Sequence, residues 1–246
     1  MGKRLAYSIG GIALVFAVWF IFYITVKNSV IVPSPTFTIK KVGELFTEKF
    51  FYSALFSTLL RVVIAFIISA IFAVITASFA YKFNAFANVF GVVVSVMRSL
   101  PTLAVLLIIL VKVKRIEAPV YVCFLTLFPL LYTAVYSSLK SINTDLEDMC
   151  KVYKTPVIKK VRYLYIPSLF PKLYLDFSSA FSFGLKLTVS AEILASVYGS
   201  VGGAMQEAAI YDTVMLFALT LVVCVIGIII EFIGKFAFDI VESKRK

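Results

Sequence analysis

The sequence predicts an all-α, polytopic membrane protein of about six transmembrane helices in one domain, residues 1–246. Composition is the first reason: 61% of the 246 residues are hydrophobic and only 15% are charged, whereas soluble domains run near half and a quarter. Mean hydropathy is +1.01. Length is the second: a span takes about 20 residues, so this chain could hold roughly five to seven spans plus short loops, with no room for a separate soluble domain. The third is where the charges lie. Most of the 24 Lys and Arg residues fall between long apolar runs, where they set topology rather than bind nucleic acid.

The first apolar run, about Ile9 to Val26, follows Lys3 and Arg4. It is too long for a signal-peptide core and no small-residue cleavage site follows, so it reads as a retained helix. A polar stretch from Lys27 to Phe51 contains a Pro33-Ser34-Pro35 turn. The second span, Val62 to Ala80, carries Ala65, Ser69, Ala73 and Ala77 on one stripe; small side chains at this spacing let helix backbones approach closely. The third, about Ala85 to Val111, is interrupted by Arg98 and Pro101, and the fourth, Pro119 to Tyr136, carries Pro129. The fifth runs from about Tyr174 to Ala195 with Lys186 and Glu192 inside it, and the sixth from about Thr213 to Phe232. A basic tail, Lys244-Arg245-Lys246, closes the chain. With both termini on the cytoplasmic side, that side holds fourteen Lys and Arg and the other holds seven, the bias that cytoplasmic loops carry.

Residues 137–173 break the pattern of short connections. Asp145 to Thr155 reads as an amphipathic helix, with Leu146, Met149 and Val152 or Tyr153 recurring at three to four residues. Asp145, Glu147 and Asp148 open it, where the positive helix end favours acids. Thr155-Pro156 has the form of an N-cap and first helical residue for a second short helix, ended by Pro167 and Pro171. A basic amphipathic helix of this kind suits either an anionic lipid surface or a docking protein.

The spacing of this loop resembles the E-A-A loop of ABC-importer permeases, E-A-A, three residues, G, nine residues, I-x-L-P. Asp148-Met149-Cys150 stands at E-A-A, with Glu147 one residue off; Lys154 stands at the glycine, and Leu164-Tyr165-Ile166-Pro167 at I-x-L-P. Further matches follow the order of the sulfonate, taurine and nitrate branch. Val32-Pro33-Ser34-Pro35 resembles its P-S-P element, Ser57-Thr58-Leu59-Leu60-Arg61 its T-L-x-R, and Arg98-Ser99-Leu100-Pro101 its R-x-x-P. Ala191-Glu192-Ile193-Leu194 resembles A-E-x-L, and Val201-Gly202-Gly203 resembles G-L-G more weakly. The W-F-G usual after the third span is replaced by Lys112-Val113-Lys114.

The resemblance implies the type I ABC-importer permease fold, with a core at about residues 50–235 and 137–173 as a cytoplasmic coupling loop. It implies a multi-pass protein of the cytoplasmic (inner) membrane, acting as a homodimer with a separate ABC ATPase and an extracytoplasmic substrate-binding protein. Asp148, Met149, Cys150, Val152, Tyr153, Lys154 and Thr155 would then couple to the ATPase. The chain's own residues fit that division of labour. Gly227 and Gly234-Lys235 do not have phosphate-loop spacing, so ATP chemistry belongs to a partner.

Ionisable residues inside spans cost about 2.5–3.5 kcal/mol near a helix centre, so each needs a role. Arg61 lies near the outer end of its span and reads as a snorkelling residue before a substrate contact. Arg98, deeper in its span and beside Pro101, reads as facing the bundle interior or a cavity. Lys186 and Glu192 are six residues apart, about 9 Å along a helix and on different sides of it, so each needs a partner elsewhere or water. These four are the translocation-path candidates; for an anionic solute Arg98 and Lys186 would be the path cations, and a structural interhelical role is an equal alternative. An ion-gradient-driven secondary transporter is the alternative class, but Glu192 is its one deep acid and no inverted repeat is visible. An enzyme is not indicated: there is no catalytic constellation, no cofactor motif and no histidine. Cys123, Cys150 and Cys224 are too scattered for a disulfide framework or a metal site.

Overall fold

The computed structural model describes residues 2–29 and 31–243; the basic tail Lys244, Arg245 and Lys246 lies outside them. The described residues form helices joined by short loops, with no strand among them. In order these are α1 (Gly2–Val26), α2 (Pro35–Leu45), α3 (Lys49–Lys82), α4 (Asn84–Ser99), α5 (Thr102–Leu110), α6 (Ala118–Lys140), α7 (Thr144–Val152), α8 (Val157–Lys160), a π-helical turn (Val161–Tyr165), α9 (Ile166–Ala195), α10 (Val201–Tyr211) and α11 (Thr213–Ser243). Among the described residues α3, α6 and α11 are each long and apolar enough to cross a membrane.

α6 is the central helix, against which α3, α9, α4 and α5 pack. The small-residue stripe on α3 lies at the α3–α6 seam: Ala65, Ser69, Ala73 and Ala77 are all fully buried. Ser69 Oγ donates to the Ala65 carbonyl at 2.7 Å and reaches the Phe124 carbonyl of α6 at 3.4 Å, contacts that only closely apposed backbones allow. α3 starts well before the apolar window of the sequence. Residues 49–61 contain no Pro or Gly to stop it, and Phe51, Ala54 and Thr58 in that stretch are buried.

The expected third span is two helices. α4 and α5 meet at 88° because Pro101 pushes Leu100 out of the helical region, to φ −70 and ψ 128. α2 falls in the stretch read as polar with a Pro33-Ser34-Pro35 turn. Ser34 caps it, its Oγ accepting from the Phe37 N–H at 3.4 Å, and Pro35 stands in its first turn, the combination that starts helices. α2 packs on α11, burying Thr38 and Leu45.

Pro167 and Pro171 do not end a short helix before the fifth span, as the sequence suggested. The Ile166 N–H bonds back five residues to Val161, so the chain widens into a π-turn and runs on into the 30-residue α9. Pro167 then sits in the first turn of α9, where no N–H is needed. α9 packs on α11 through small residues: Ser178 Oγ donates to the Ile230 carbonyl at 3.0 Å and Ser182 Oγ to the Gly227 carbonyl at 3.2 Å. A Cβ on Gly234 would run into the Ser178 side chain. The glycines that superficially suggested a phosphate loop are therefore packing sites.

Candidate functional site

Two polar clusters lie at opposite ends of the bundle. The first surrounds α7. Asn143 caps this helix, its Oδ1 accepting from the Asp145 N–H at 2.9 Å. Asp145 and Glu147 occupy the first turn and Lys151 the last, so charge follows the helix dipole at both ends. α7 buries none of its residues. Leu146, Met149, Val152 and Tyr153 are exposed, the last two at 78% and 77%. Asp148 pairs with Lys151 at 2.8 Å, and both side chains are open to solvent.

Lys154 has a positive φ of 48, and its N–H donates to the Lys151 carbonyl at 3.0 Å. This is the left-handed residue after a helix end, where glycine is favoured for want of a Cβ. Thr155 does not cap the next helix. Its N–H closes α7 by donating to the Cys150 carbonyl at 2.9 Å, and α8 starts after Pro156.

The tie between α7 and the bundle is Glu147, which the motif alignment passes over by one residue. Glu147 Oε1 accepts from Tyr165 Oη of the π-turn at 2.7 Å and from Tyr81 Oη near the end of α3 at 2.8 Å. Lys160 Nζ of α8 stands 3.7 Å away. Burial works against the Glu147 charge, but the two phenol hydrogen bonds and the neighbouring lysines outweigh it and hold the carboxyl below its usual range. Beside this cluster a cavity of about 1110 Å³ opens between α3, α9 and α11, walled mainly by apolar side chains such as Val74, Leu169, Phe177 and Ile230.

The second cluster joins the far ends of α3, α9 and α10. Arg61 Nη1 donates to Glu192 Oε1 at 2.8 Å, and its Nε to the Ile116 carbonyl before α6 at 3.1 Å. Thr58 Oγ1 donates to Glu192 Oε2 at 2.9 Å and accepts from the Val201 N–H at 3.0 Å. The Gly202 N–H donates to Glu192 Oε2 at 3.1 Å, and the Gly203 N–H to Ser200 Oγ at 3.0 Å. The first three N–H groups of α10, which no helix can satisfy internally, are thus all taken by side chains. Glu192 is fully buried and Arg61 is 8% exposed. The expectation that Arg61 snorkels is overturned: its guanidinium turns inward because Glu192 and the Ile116 carbonyl offer acceptors there. A Cβ on Gly202 would lie 2.6 Å from the Val189 carbonyl oxygen and strike the Glu192 Cβ, so this position has room only for glycine.

Three sequence motifs, those around Glu192 and Gly202 and the one around Arg61 that lies 131 residues before Glu192, therefore meet in one knot. Arg98 and Lys186 do not join it. Both are exposed, Arg98 in the last turn of α4 and Lys186 on α9, and neither forms an ion pair among the described residues. The reading of Arg98 as facing the bundle interior does not hold within this single chain. Tyr81 and Tyr165 carried no signal in the sequence, because a phenol beside an apolar run looks like any interfacial tyrosine.

Residues 65–246 match the model of one family, described as "binding-protein-dependent transport system inner membrane component". That covers well over half of the chain. The chain belongs to this family. It is a membrane permease component, not an enzyme. The fold is also that of solved permeases. One is from "Inward facing conformations of the MetNI methionine ABC transporter: CY5 native crystal form", with TM-score 0.67 and 15% identity over 76% of this chain and 94% of that one. The SeMet soak crystal form of the same transporter gives TM-score 0.62 and 13% identity over 74% and 94%. No curated protein matches in sequence.

Proposed function

We propose that this permease is the translocation subunit of an ATP-driven importer, working as a pair of copies in the inner membrane with both termini and α7 on the cytoplasmic side. An extracytoplasmic binding protein delivers a small solute, and a separate ABC ATPase grips the segment 145–160. The observation that carries this reading is the exposed stripe Leu146, Met149, Val152 and Tyr153 on a capped helix that buries nothing of its own. An apolar face kept in water costs free energy unless a partner covers it. ATP closes the ATPase pair, and rigid α7 carries that motion to α3 and α9; the spans alternate because ATP binds the two states unequally.

Arg98 and Lys186 are the path cations in this reading. Their heads stand on exposed faces of the single chain, where a second copy or an anionic solute would meet them, and this suits a sulfonate-like or other small anion. A secondary transporter is less well supported, since Glu192, the acid it would titrate, is fully engaged by Arg61, Thr58 and Gly202.

The test is co-purification from membranes of cells co-expressing permease and ATPase. Deleting residues 145–160, or making Asp148→Arg, is expected to abolish ATPase capture while membrane insertion persists. Full capture by either variant would displace the coupling segment from α7.

A further inference from the structure

α7 is mounted on the bundle in an unusual way. It buries no residue. Only Glu147 and Cys150 on it are even partly covered. An amphipathic helix is ordinarily held by its apolar stripe, but this stripe faces away. What remains is one carboxylate oxygen, shared by phenols from two different elements. Tyr81 comes from the end of α3 and Tyr165 from the π-turn that leads into α9, and their rings meet edge to face at 6.3 Å. Lys160 supplies the countercharge and lies 5.1 Å over the Tyr165 ring. Phenol-to-carboxylate bonds are charge-assisted and among the stronger hydrogen bonds available to a protein.

We propose that Glu147, Tyr81 and Tyr165 form a clamp that makes α7, the end of α3 and the start of α9 move as one body. Glu147 is then a positioning residue that transmits force rather than a contact for the partner. The proposal rests on the coupling role of 145–160 given above. Without the clamp α7 would swivel on its two flanking loops, and closure of the ATPase pair would be spent on moving α7 alone. The π-turn fits this role. It places Tyr165 at the joint between α8 and α9, so the clamp grips the point where the loop becomes a span.

The test uses the full importer in proteoliposomes: for the distance measurement Cys123, Cys150 and Cys224 are replaced and spin labels stand at Thr144→Cys, an exposed α7 residue outside 145–160, and Phe79→Cys on α3, while transport and ATPase capture are read in the unlabelled importer with its own cysteines. The unmutated clamp gives a narrow label–label distance distribution. Tyr81→Phe with Tyr165→Phe keeps both rings and removes both donors; the distribution is expected to broaden at least twofold. Solute moved per ATP hydrolysed should fall at least about tenfold, since even one of the two charge-assisted bonds removed is worth that much, while ATPase capture is unchanged. Glu147→Gln keeps an acceptor oxygen and retains the narrow distribution, whereas Glu147→Ala does not. An unchanged width in the double Phe variant, or an unchanged transport-to-ATP ratio in a complex that keeps its ATPase, overturns the clamp. The distance width judges the clamp whether or not the ATPase grips α7. Failure of the clamp and failure of the coupling role therefore give different results.

Discussion

Glu192 is a carboxylate with no exposure, and such a group survives only when it is paired and hydrogen-bonded. Here Arg61 supplies the countercharge on Oε1, and Thr58 and the Gly202 N–H donate to Oε2. Glu192→Leu leaves the Arg61 guanidinium buried without its countercharge and is expected to cost about 3–5 kcal/mol. Adding Arg61→Leu should restore part of that loss, as read from unfolding midpoints in detergent. Two single losses that simply add in the double variant would show that the two side chains do not act as a pair. Arg61 and Glu192 were each visible in the sequence as costly charges in apolar spans. Their partnership was not, because 131 residues separate them and helix periodicity carries no information across helices. The glycine pair at 202–203 was a weak match in sequence; its reason is steric and depends on how closely α10 approaches α9.

At the scale of elements, long apolar periodicity made the spans legible, and the small-residue stripe of α3 foretold the face that packs on α6. The breaks were harder. Pro101 turns the chain by 88°, whereas Pro171 sits inside α9 without ending it. Pro129 likewise sits inside α6 without ending it, so a proline in an apolar run does not by itself say where the chain breaks. The α7 segment was readable in its extent and charge order, while its mounting depended on two tyrosines from other elements. A left-handed conformation costs an L-residue about 1–2 kcal/mol, so Lys154→Gly is expected to stabilise the end of α7 by about 0.5–1 kcal/mol, after glycine's own entropy cost. Slower amide exchange at Tyr153 and Thr155 would report it; faster exchange would contradict the strain argument.

Across the whole molecule, a knot at one end joins α3, α9 and α10, and a carboxylate–phenol cluster at the other joins α3, α7 and the start of α9. Helices α3 and α9 run between them, so displacement at α7 has a continuous path to the far end of the bundle. Arg98 and Lys186 belong to neither cluster. Arg98→Ala and Lys186→Ala should therefore fold with unchanged thermal stability and still lose at least about tenfold in uptake, the value of one ionic contact to an anion; wild-type uptake at equal expression would remove both from the path. The proposed function requires that this permease move solute only when a separate ATPase drives it through residues 145–160. Its most direct test is solute accumulation in proteoliposomes holding the permease with or without the ATPase and binding protein. Accumulation should require ATP and the ATPase and vanish when 145–160 is deleted, whereas full-rate accumulation by the permease alone would contradict the account.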